Sequence, residues 1–122
     1  MAKRILLIED DTSLVESYSI LLLAEGYVVA RAGDGQQAAQ VAKEFKPDLI
    51  LLDLLMPVHN GIEFLRNLDK ALEPKPKIIV LTNLNTMEIE MEAKKLGADG
   101  YYIKSSLSPK ELAEAIKSEL PE

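Results

Sequence analysis

The chain has 122 residues, of which 48% are hydrophobic and 28% charged, and these proportions indicate one folded domain with a hydrophobic core rather than a disordered chain. Its formal net charge of -6 argues against a nucleic-acid-binding surface, and the absence of cysteine excludes disulfides and thiolate metal sites. No apolar run reaches the roughly 18 residues of a membrane-spanning helix and no secretory signal is recognisable, so the sequence predicts a cytoplasmic protein with no membrane partner.

Short apolar runs predict five β-strands. In chain order these strands cover residues 4–8, 27–32, 48–52, 77–82 and 100–103. The first, third and fourth contain the sequences ILLI, LILL and IIVL, which are apolar without alternation. That pattern is typical of strands that are buried on both faces, as in a parallel sheet.

Each strand is followed by a signal for the start of a helix. The signal is a cap residue with a side-chain oxygen and, three positions later, a glutamate or glutamine. These pairs are Ser13 with Glu16, Asp34 with Gln37, Asn60 with Glu63, Asn85 with Glu88, and Ser108 with Glu111. Gly26 and Gly97 follow helical stretches, where a residue in the left-handed conformation commonly ends a helix. The chain is therefore predicted to repeat a strand–helix unit five times.

Parallel strands joined by right-handed helical connections form a sheet with helices on both faces. We therefore predict an α/β fold with a doubly wound, five-stranded parallel sheet of order 2-1-3-4-5 and five helices on its two faces. A single domain is expected over residues 1–122. Because function in such sheets gathers beyond the carboxyl ends of the strands, the residues at those ends form the candidate site.

Acidic residues follow two strands that the predicted order places side by side. Glu9 and Asp10 follow the first strand, and Asp53 follows the third. Carboxylates this close repel one another and need compensation. Mg²⁺ is the expected compensating ion, because it binds carboxylate and backbone oxygens together with water.

A hydroxyl and a lysine complete the predicted site, since Thr82 ends the fourth strand and Lys104 follows the fifth. An aspartate, a cation, a lysine and a hydroxyl around one point predict phosphoryl transfer to a carboxylate. In this prediction Asp53 accepts the phosphoryl group, and Lys104 and Thr82 each contact one of its oxygens. Asp10 binds the metal directly, and Glu9 binds it directly or through water.

Four segments, ILLIEDD, DLILLDLLMP followed by HNG, VLT and GADGYYIK, occur in this order along nearly the whole chain. They resemble the receiver domains of two-component response regulators. The resemblance implies a CheY-like fold, a metal ligand in the backbone carbonyl of Leu55, and a switch made of Thr82 and Tyr101, in which the aromatic residue turns inward.

The resemblance also implies a histidine kinase, phosphotransfer protein or small phosphodonor as the source of the phosphoryl group. A downstream protein or output domain would contact the face of helix four, strand five and helix five, in a monomer or weak dimer.

Two positions depart from the family's usual pattern. Ser105 stands where a proline commonly follows the lysine after a cis peptide bond, and a non-proline cis bond costs about 2.5–4 kcal/mol. Lys104 is nevertheless expected to reach the site. Asn83 stands where a small residue usually follows the threonine, so an altered lifetime of the aspartyl phosphate is expected.

Three other functions share parts of this pattern. A pseudo-receiver would have the same fold but act as an interaction module that is never phosphorylated. A haloacid dehalogenase-type phosphatase uses similar groups, but its nucleophile follows strand one in a D-x-D-x-T pattern. A flavin-binding module needs phosphate-binding donors in the first loop, where this chain has three carboxylates.

Helix four has two apolar stripes. Ile89, Ala93 and Leu96 line one side, and Met87 and Met91 line nearly the opposite side. One stripe should face the core, and the other is a candidate contact surface. The sequence leaves open which stripe is buried.

Overall fold

The computed structural model describes residues 2–55, 61–68, 72–84 and 86–120. Its strands form one sheet in the order β2-β1-β3-β4-β5, and all four pairings are parallel. The strands are β1 (Arg4–Ile8), β2 (Val28–Ala32), β3 (Leu49–Leu52), β4 (Lys77–Thr82) and β5 (Gly100–Ile103). The predicted fold class and strand order are thus confirmed.

A helix follows each strand. The helices are α1 (Thr12–Ala24), α2 (Gly35–Phe45), α3 (Gly61–Leu68), α4 (Met87–Lys95) and α5 (Pro109–Glu119), and a short 3-10 turn covers Lys104–Ser106. Within the described part of the chain, no helix is both long and apolar enough to cross a bilayer.

Two hydrophobic clusters lie on opposite faces of the sheet. Side chains alternate along β1, so Leu6 and Ile8 join one cluster while Ile5 and Leu7 join the other. The first cluster includes buried residues of α2, α3 and α4, and the second includes buried residues of α1 and α5. The sheet is therefore covered on both faces, which explains why its central strands are continuously apolar.

The helix caps confirm part of the predicted pattern. Ser108 and Glu111 form a complete capping box at α5, and the Asp34 carboxylate accepts a hydrogen bond from the Gln37 N–H at 2.8 Å. At the ends of α1 and α4, Gly26 and Gly97 have positive φ angles of 93° and 113°. Both glycines thus have the left-handed conformation expected after a helix.

The predicted start of α1 is wrong. Asp11 is the cap residue, and its Oδ1 accepts hydrogen bonds from the N–H groups of Ser13 and Leu14 at 3.0 and 3.2 Å. Ser13 therefore lies inside the helix and forms no capping box with Glu16, because the carboxylate two residues earlier already reaches the free N–H groups.

The helices α3 and α4 begin next to residues that lie outside the described part of the chain. The predicted caps Asn60 and Asn85 both lie outside the described residues. At α4 the cap is Thr86, one residue after the predicted position, and its Oγ1 accepts a hydrogen bond from the Ile89 N–H at 3.3 Å.

The structure settles which stripe of α4 faces the core. Ala93 is fully buried, and Ile89 and Leu96 pack against the same cluster. Met87 and Met91 are 76% and 64% exposed. The methionine stripe is therefore the outer face of α4.

Candidate functional site at the carboxyl ends of the strands

Three carboxylates meet where β1 and β3 end. The two strands pair with Ile8 opposite Leu52, so the residues that follow them lie side by side. Carboxylate oxygens of Glu9, Asp10 and Asp53 all lie within 4.8 Å of one another. Glu9 and Asp53 are 4% and 5% exposed, whereas Asp10 faces solvent.

Lys104 reaches into this acidic group from the end of β5. Its Nζ forms ion pairs with a carboxylate oxygen of Glu9 and with Asp53 Oδ2, the latter at 2.8 Å. Burial lowers the pKa of Lys104, but the hydrogen bonds from its ammonium group to Asp53 and Glu9 outweigh that effect, so its pKa lies above the usual value. The lysine is therefore held as a cation between the two buried carboxylates.

Glu9 titrates unusually because of its surroundings. Burial raises its pKa from 4.5 to about 7; the hydrogen bond from Lys104 opposes this shift, and the negative charge of Asp53 adds to it. Its Oε2 also accepts a hydrogen bond from the Asp11 N–H at 3.3 Å. One ammonium group thus compensates three neighbouring carboxylates only in part.

The acidic group fits a hard divalent cation. It offers three carboxylate oxygens close together, two from buried residues and one from the exposed Asp10, so bound water can complete the coordination on the open side. The donors and the uncompensated charge both match Mg²⁺ better than a soft metal. For Leu55 the structure shows that its N–H donates to Asp53 Oδ1 at 3.1 Å; the role of its carbonyl stays a prediction.

Both oxygens of Asp53 are engaged. Oδ1 accepts the hydrogen bond from the Leu55 N–H, and Oδ2 accepts one from Lys104 Nζ. The Asp53 N–H donates to the Ile8 carbonyl at 3.1 Å, which ties the residue to β1. The carboxylate is therefore fixed in orientation at the edge of the sheet.

Thr82 and Tyr101 contact the same residue. Thr82 is fully buried at the end of β4, and its Oγ1 accepts a hydrogen bond from the Leu84 N–H at 3.3 Å. The Tyr101 hydroxyl donates to the Leu84 carbonyl at 2.7 Å. Tyr101 and Tyr102 pack against opposite faces of the sheet. The two predicted switch residues thus hold Leu84 by its N–H and its carbonyl.

The two unusual positions, Asn83 and Ser105, also meet. The Ser105 N–H donates to Asn83 Oδ1 at 3.0 Å. Among the described residues the cis peptide bond is Glu73–Pro74, so the bond between Lys104 and Ser105 is trans. Lys104 reaches Asp53 with this trans geometry, in agreement with the sequence-based expectation.

Gly61 is a site residue whose role was not predicted. A Cβ atom there would lie 2.6 Å from the Leu54 Cα and 2.9 Å from the Asp53 carbonyl oxygen. The Gly61 N–H donates to the Leu54 carbonyl at 3.0 Å, so α3 begins directly against the segment that carries Asp53. Its only signal in the sequence is the glycine of HNG, which belongs to the family resemblance.

Comparisons with known proteins agree with this architecture. A family model described as "Response regulator receiver domain" matches residues 5–117. The DNA-binding response regulator MtrA of Mycolicibacterium paratuberculosis is 38% identical over 120 residues, which are 98% of this chain and 52% of MtrA. This chain therefore spans about half the length of MtrA.

Two further similarities extend over most of both chains. Protein CcdB of Bacillus subtilis is 36% identical over 102 residues, which cover 83% of this chain and 84% of CcdB. The crystal structure of a CheY-like response regulator receiver domain protein from Methanospirillum hungatei JF-1 superposes with a TM-score of 0.92 at 32% identity. The match covers 98% of this chain and 94% of that one.

Proposed function

The chain belongs to the family of response regulator receiver domains, which are two-component signalling switches rather than classical enzymes, and from this premise we propose that Asp53 is its phospho-acceptor. The observation that carries the proposal is the position of Asp53 at the end of β3. There its carboxylate lies beside Glu9 and Asp10 and 2.8 Å from Lys104 Nζ.

The proposed donor is a phosphohistidine of a histidine kinase or phosphotransfer protein. A carboxylate oxygen of Asp53 attacks the phosphorus, and the new P–O bond forms as the P–N bond breaks. The electron pair of the broken bond stays on the departing imidazole nitrogen. The product is an aspartyl phosphate.

Charge on the transferred group is the main obstacle to this step. Glu9, Asp10 and Asp53 would hold Mg²⁺, with the Leu55 carbonyl as a further ligand, and the ion when bound neutralises charge on the phosphoryl oxygens. Lys104, shared between Glu9 and Asp53 before the reaction, would then bind a phosphoryl oxygen.

The proposed conformational change starts at Thr82. A phosphoryl group adds a charge of about -1.5 to -2, and the buried Thr82 hydroxyl turns toward it. Because Thr82 and Tyr101 both bind Leu84, movement of Thr82 shifts the segment that leads into α4. The active arrangement of α4, β5 and α5 then gains population, and the exposed methionines of α4 form part of the surface offered to the downstream partner.

The alternative functions have less support. A haloacid dehalogenase-type nucleophile would follow β1, whereas Asp53 follows β3. Flavin phosphate would be repelled by the acidic loop after β1. A pseudo-receiver remains the main rival, but the contact between Lys104 and Asp53 forms in spite of Ser105, which favours a competent site.

Intact mass spectrometry after incubation with acetyl phosphate and Mg²⁺ tests the proposal. The wild-type chain should gain one phosphoryl group, and Asp53→Asn should gain none. Asp11→Asn is the matched control, because it removes a neighbouring exposed carboxylate while asparagine still caps α1. A wild-type chain that stays unmodified, while an established receiver domain reacts in parallel, would contradict the proposal.

A further inference from the structure

One hydrogen bond joins the residues that directly follow Thr82 and Lys104. The Ser105 N–H donates to Asn83 Oδ1 at 3.0 Å, and each partner directly follows a residue of the site. β4 and β5 are neighbours, with Thr82 opposite Ile103, so the bond crosses between adjacent strand ends. We call this contact the Asn83–Ser105 clasp.

The clasp needs both departures from the family's usual sequence. A proline at position 105 would have no N–H to donate, and a small side chain at position 83 would offer no amide oxygen within reach. Ser105 supplies the donor and Asn83 the acceptor. The two substitutions are therefore complementary parts of one contact.

The turn that carries Lys104 is closed by a long hydrogen bond. Its own closing bond, from the Leu107 N–H to the Lys104 carbonyl, is 3.4 Å long, well beyond the usual length of about 2.9–3.0 Å. Short 3-10 turns are weakly held in general. The position of the Lys104 backbone sets the conformation that its side chain must adopt for the ammonium group to lie between Glu9 and Asp53.

We propose that Asn83 is a positioning residue for Lys104, whose backbone it holds in place through the clasp. Asn83 touches neither the phosphoryl group nor the metal in this role; it acts through the Ser105 backbone. The inference rests on the proposed function where it concerns phosphoryl transfer. The structural part, that Asn83 holds Lys104 against Asp53, stands separately.

Three single variants separate the clasp from other effects. Asn83→Ala removes the acceptor and Ser105→Pro removes the donor, whereas Ser105→Ala keeps the backbone N–H and is the matched control. Loss of one hydrogen bond that orients a catalytic cation should slow phosphorylation by acetyl phosphate about three- to tenfold. Ser105→Ala should react at the wild-type rate. In the double variant Asn83→Ala/Ser105→Pro, the rate should fall no further than in the slower single variant.

Three readouts distinguish positioning from a general structural role. The Mg²⁺ concentration that gives half the maximal rate should be unchanged in Asn83→Ala, because the carboxylates are intact. Amide exchange at Ser105 should be faster in Asn83→Ala than in the wild-type chain. Independently of phosphorylation, the NMR signal of Lys104 Nζ, which reports its contact with Asp53, should shift in Asn83→Ala and not in Ser105→Ala.

The results for Asn83→Ala either support or overturn the positioning role of Asn83. If Asn83→Ala exchanges faster at Ser105 but keeps the wild-type rate and Lys104 signal, the clasp exists without positioning Lys104 and the inference is overturned. A changed Mg²⁺ requirement at an unchanged maximal rate would also overturn it. If the wild-type chain accepts no phosphoryl group, the proposed function fails, and a shifted Lys104 signal in Asn83→Ala would still support the positioning role.

Discussion

The hydroxyl of Tyr101 donates a hydrogen bond to the backbone carbonyl of Leu84 at 2.7 Å, and this bond ties β5 to the segment that leads into α4. The ring is half-buried against the cluster shared by α2, α3 and α4. Tyr101 therefore links β5 both to this cluster and to Leu84. Thr82 holds the N–H of the same residue, so under the proposed function a movement of Thr82 would reach Tyr101 through Leu84.

Removal of the Tyr101 hydroxyl should weaken this connection. For Tyr101→Phe we expect the free energy of unfolding to fall by about 1 kcal/mol, the typical net contribution of one hydrogen bond, with phosphorylation of Asp53 unchanged. Tyr102→Phe is the matched control, because the neighbouring ring packs on the opposite face of the sheet. Urea denaturation of the two variants measures the difference, and equal losses in both would contradict the prediction.

Gly61 should tolerate no side chain. In Gly61→Ala the added Cβ meets the backbone of Leu54 at 2.6 Å, so the start of α3 or the segment carrying Asp53 must move. We expect a loss of about 1–3 kcal/mol in unfolding free energy, as for other overpacked positions, and slower phosphorylation. Gly33→Ala controls for the loss of a glycine, because there the nearest atom to a new Cβ is Gln37 Oε1 at 3.8 Å. Similar thermal unfolding of both variants would rule out the steric explanation.

Lys104 should affect metal binding and phosphoryl transfer in opposite directions. Lys104→Ala removes the cation shared by Glu9 and Asp53, so the carboxylates become a more negative site and Mg²⁺ should bind more tightly. Phosphorylation should slow by roughly a hundredfold, as when an oxyanion-stabilising donor is removed. Calorimetric titration with Mg²⁺ and acetyl phosphate kinetics measure the two effects. Lys94→Ala, which breaks an exposed ion pair with Glu90, should change neither.

Glu9 should make stability depend on pH. Its pKa is about 7 in the folded chain against 4.5 for an ordinary glutamate, so between these values the folded state binds more protons than the unfolded state. The stabilisation of the folded state that protonation of Glu9 contributes is complete below pH 4.5 and is lost as the pH rises through 7. The free energy of unfolding of the wild-type chain, minus that of Glu9→Gln, should therefore decline across this window.

Saturating Mg²⁺ should remove the contribution of Glu9, because a bound cation favours the ionised carboxylate. Urea denaturation at a series of pH values, with and without Mg²⁺, measures both effects. A difference between wild type and Glu9→Gln that is flat from pH 4.5 to 7 would contradict the prediction.

The arrangement of the acidic residues could be predicted because the strand–helix repeat indicates a doubly wound parallel sheet, in which the first and third strands are neighbours. Once β1 and β3 are neighbours, the residues after Ile8 and Leu52 must lie together, whatever their side chains do. The same reasoning brought Lys104 to the correct edge of the sheet. Its contact with both Glu9 and Asp53 depends on the conformation of a flexible side chain, which apolar patterning does not specify.

Features that depend on competition between nearby groups were harder to predict. Ser13 and Asp11 both suit a helix cap, and the geometry of the turn after β1 decided for Asp11. In the sequence Ser105 and Asn83 are two separate departures, because the pairing of residues 22 positions apart depends on the placement of the strands. The role of Gly61 depends on how closely α3 approaches Leu54, which spacing alone does not give.

The way α4 is attached has a thermodynamic consequence. Among the described residues of α4 only Ala93 is fully buried, and alanine has little apolar surface to lose when a helix shifts. Under the proposed function, a small change in free energy at Thr82 would then be enough to alter the relative populations of two positions of α4. The exposed stripe of Met87 and Met91 would move with it, and a partner that binds this stripe in one position only would respond in a graded way to the fraction of chains that are phosphorylated.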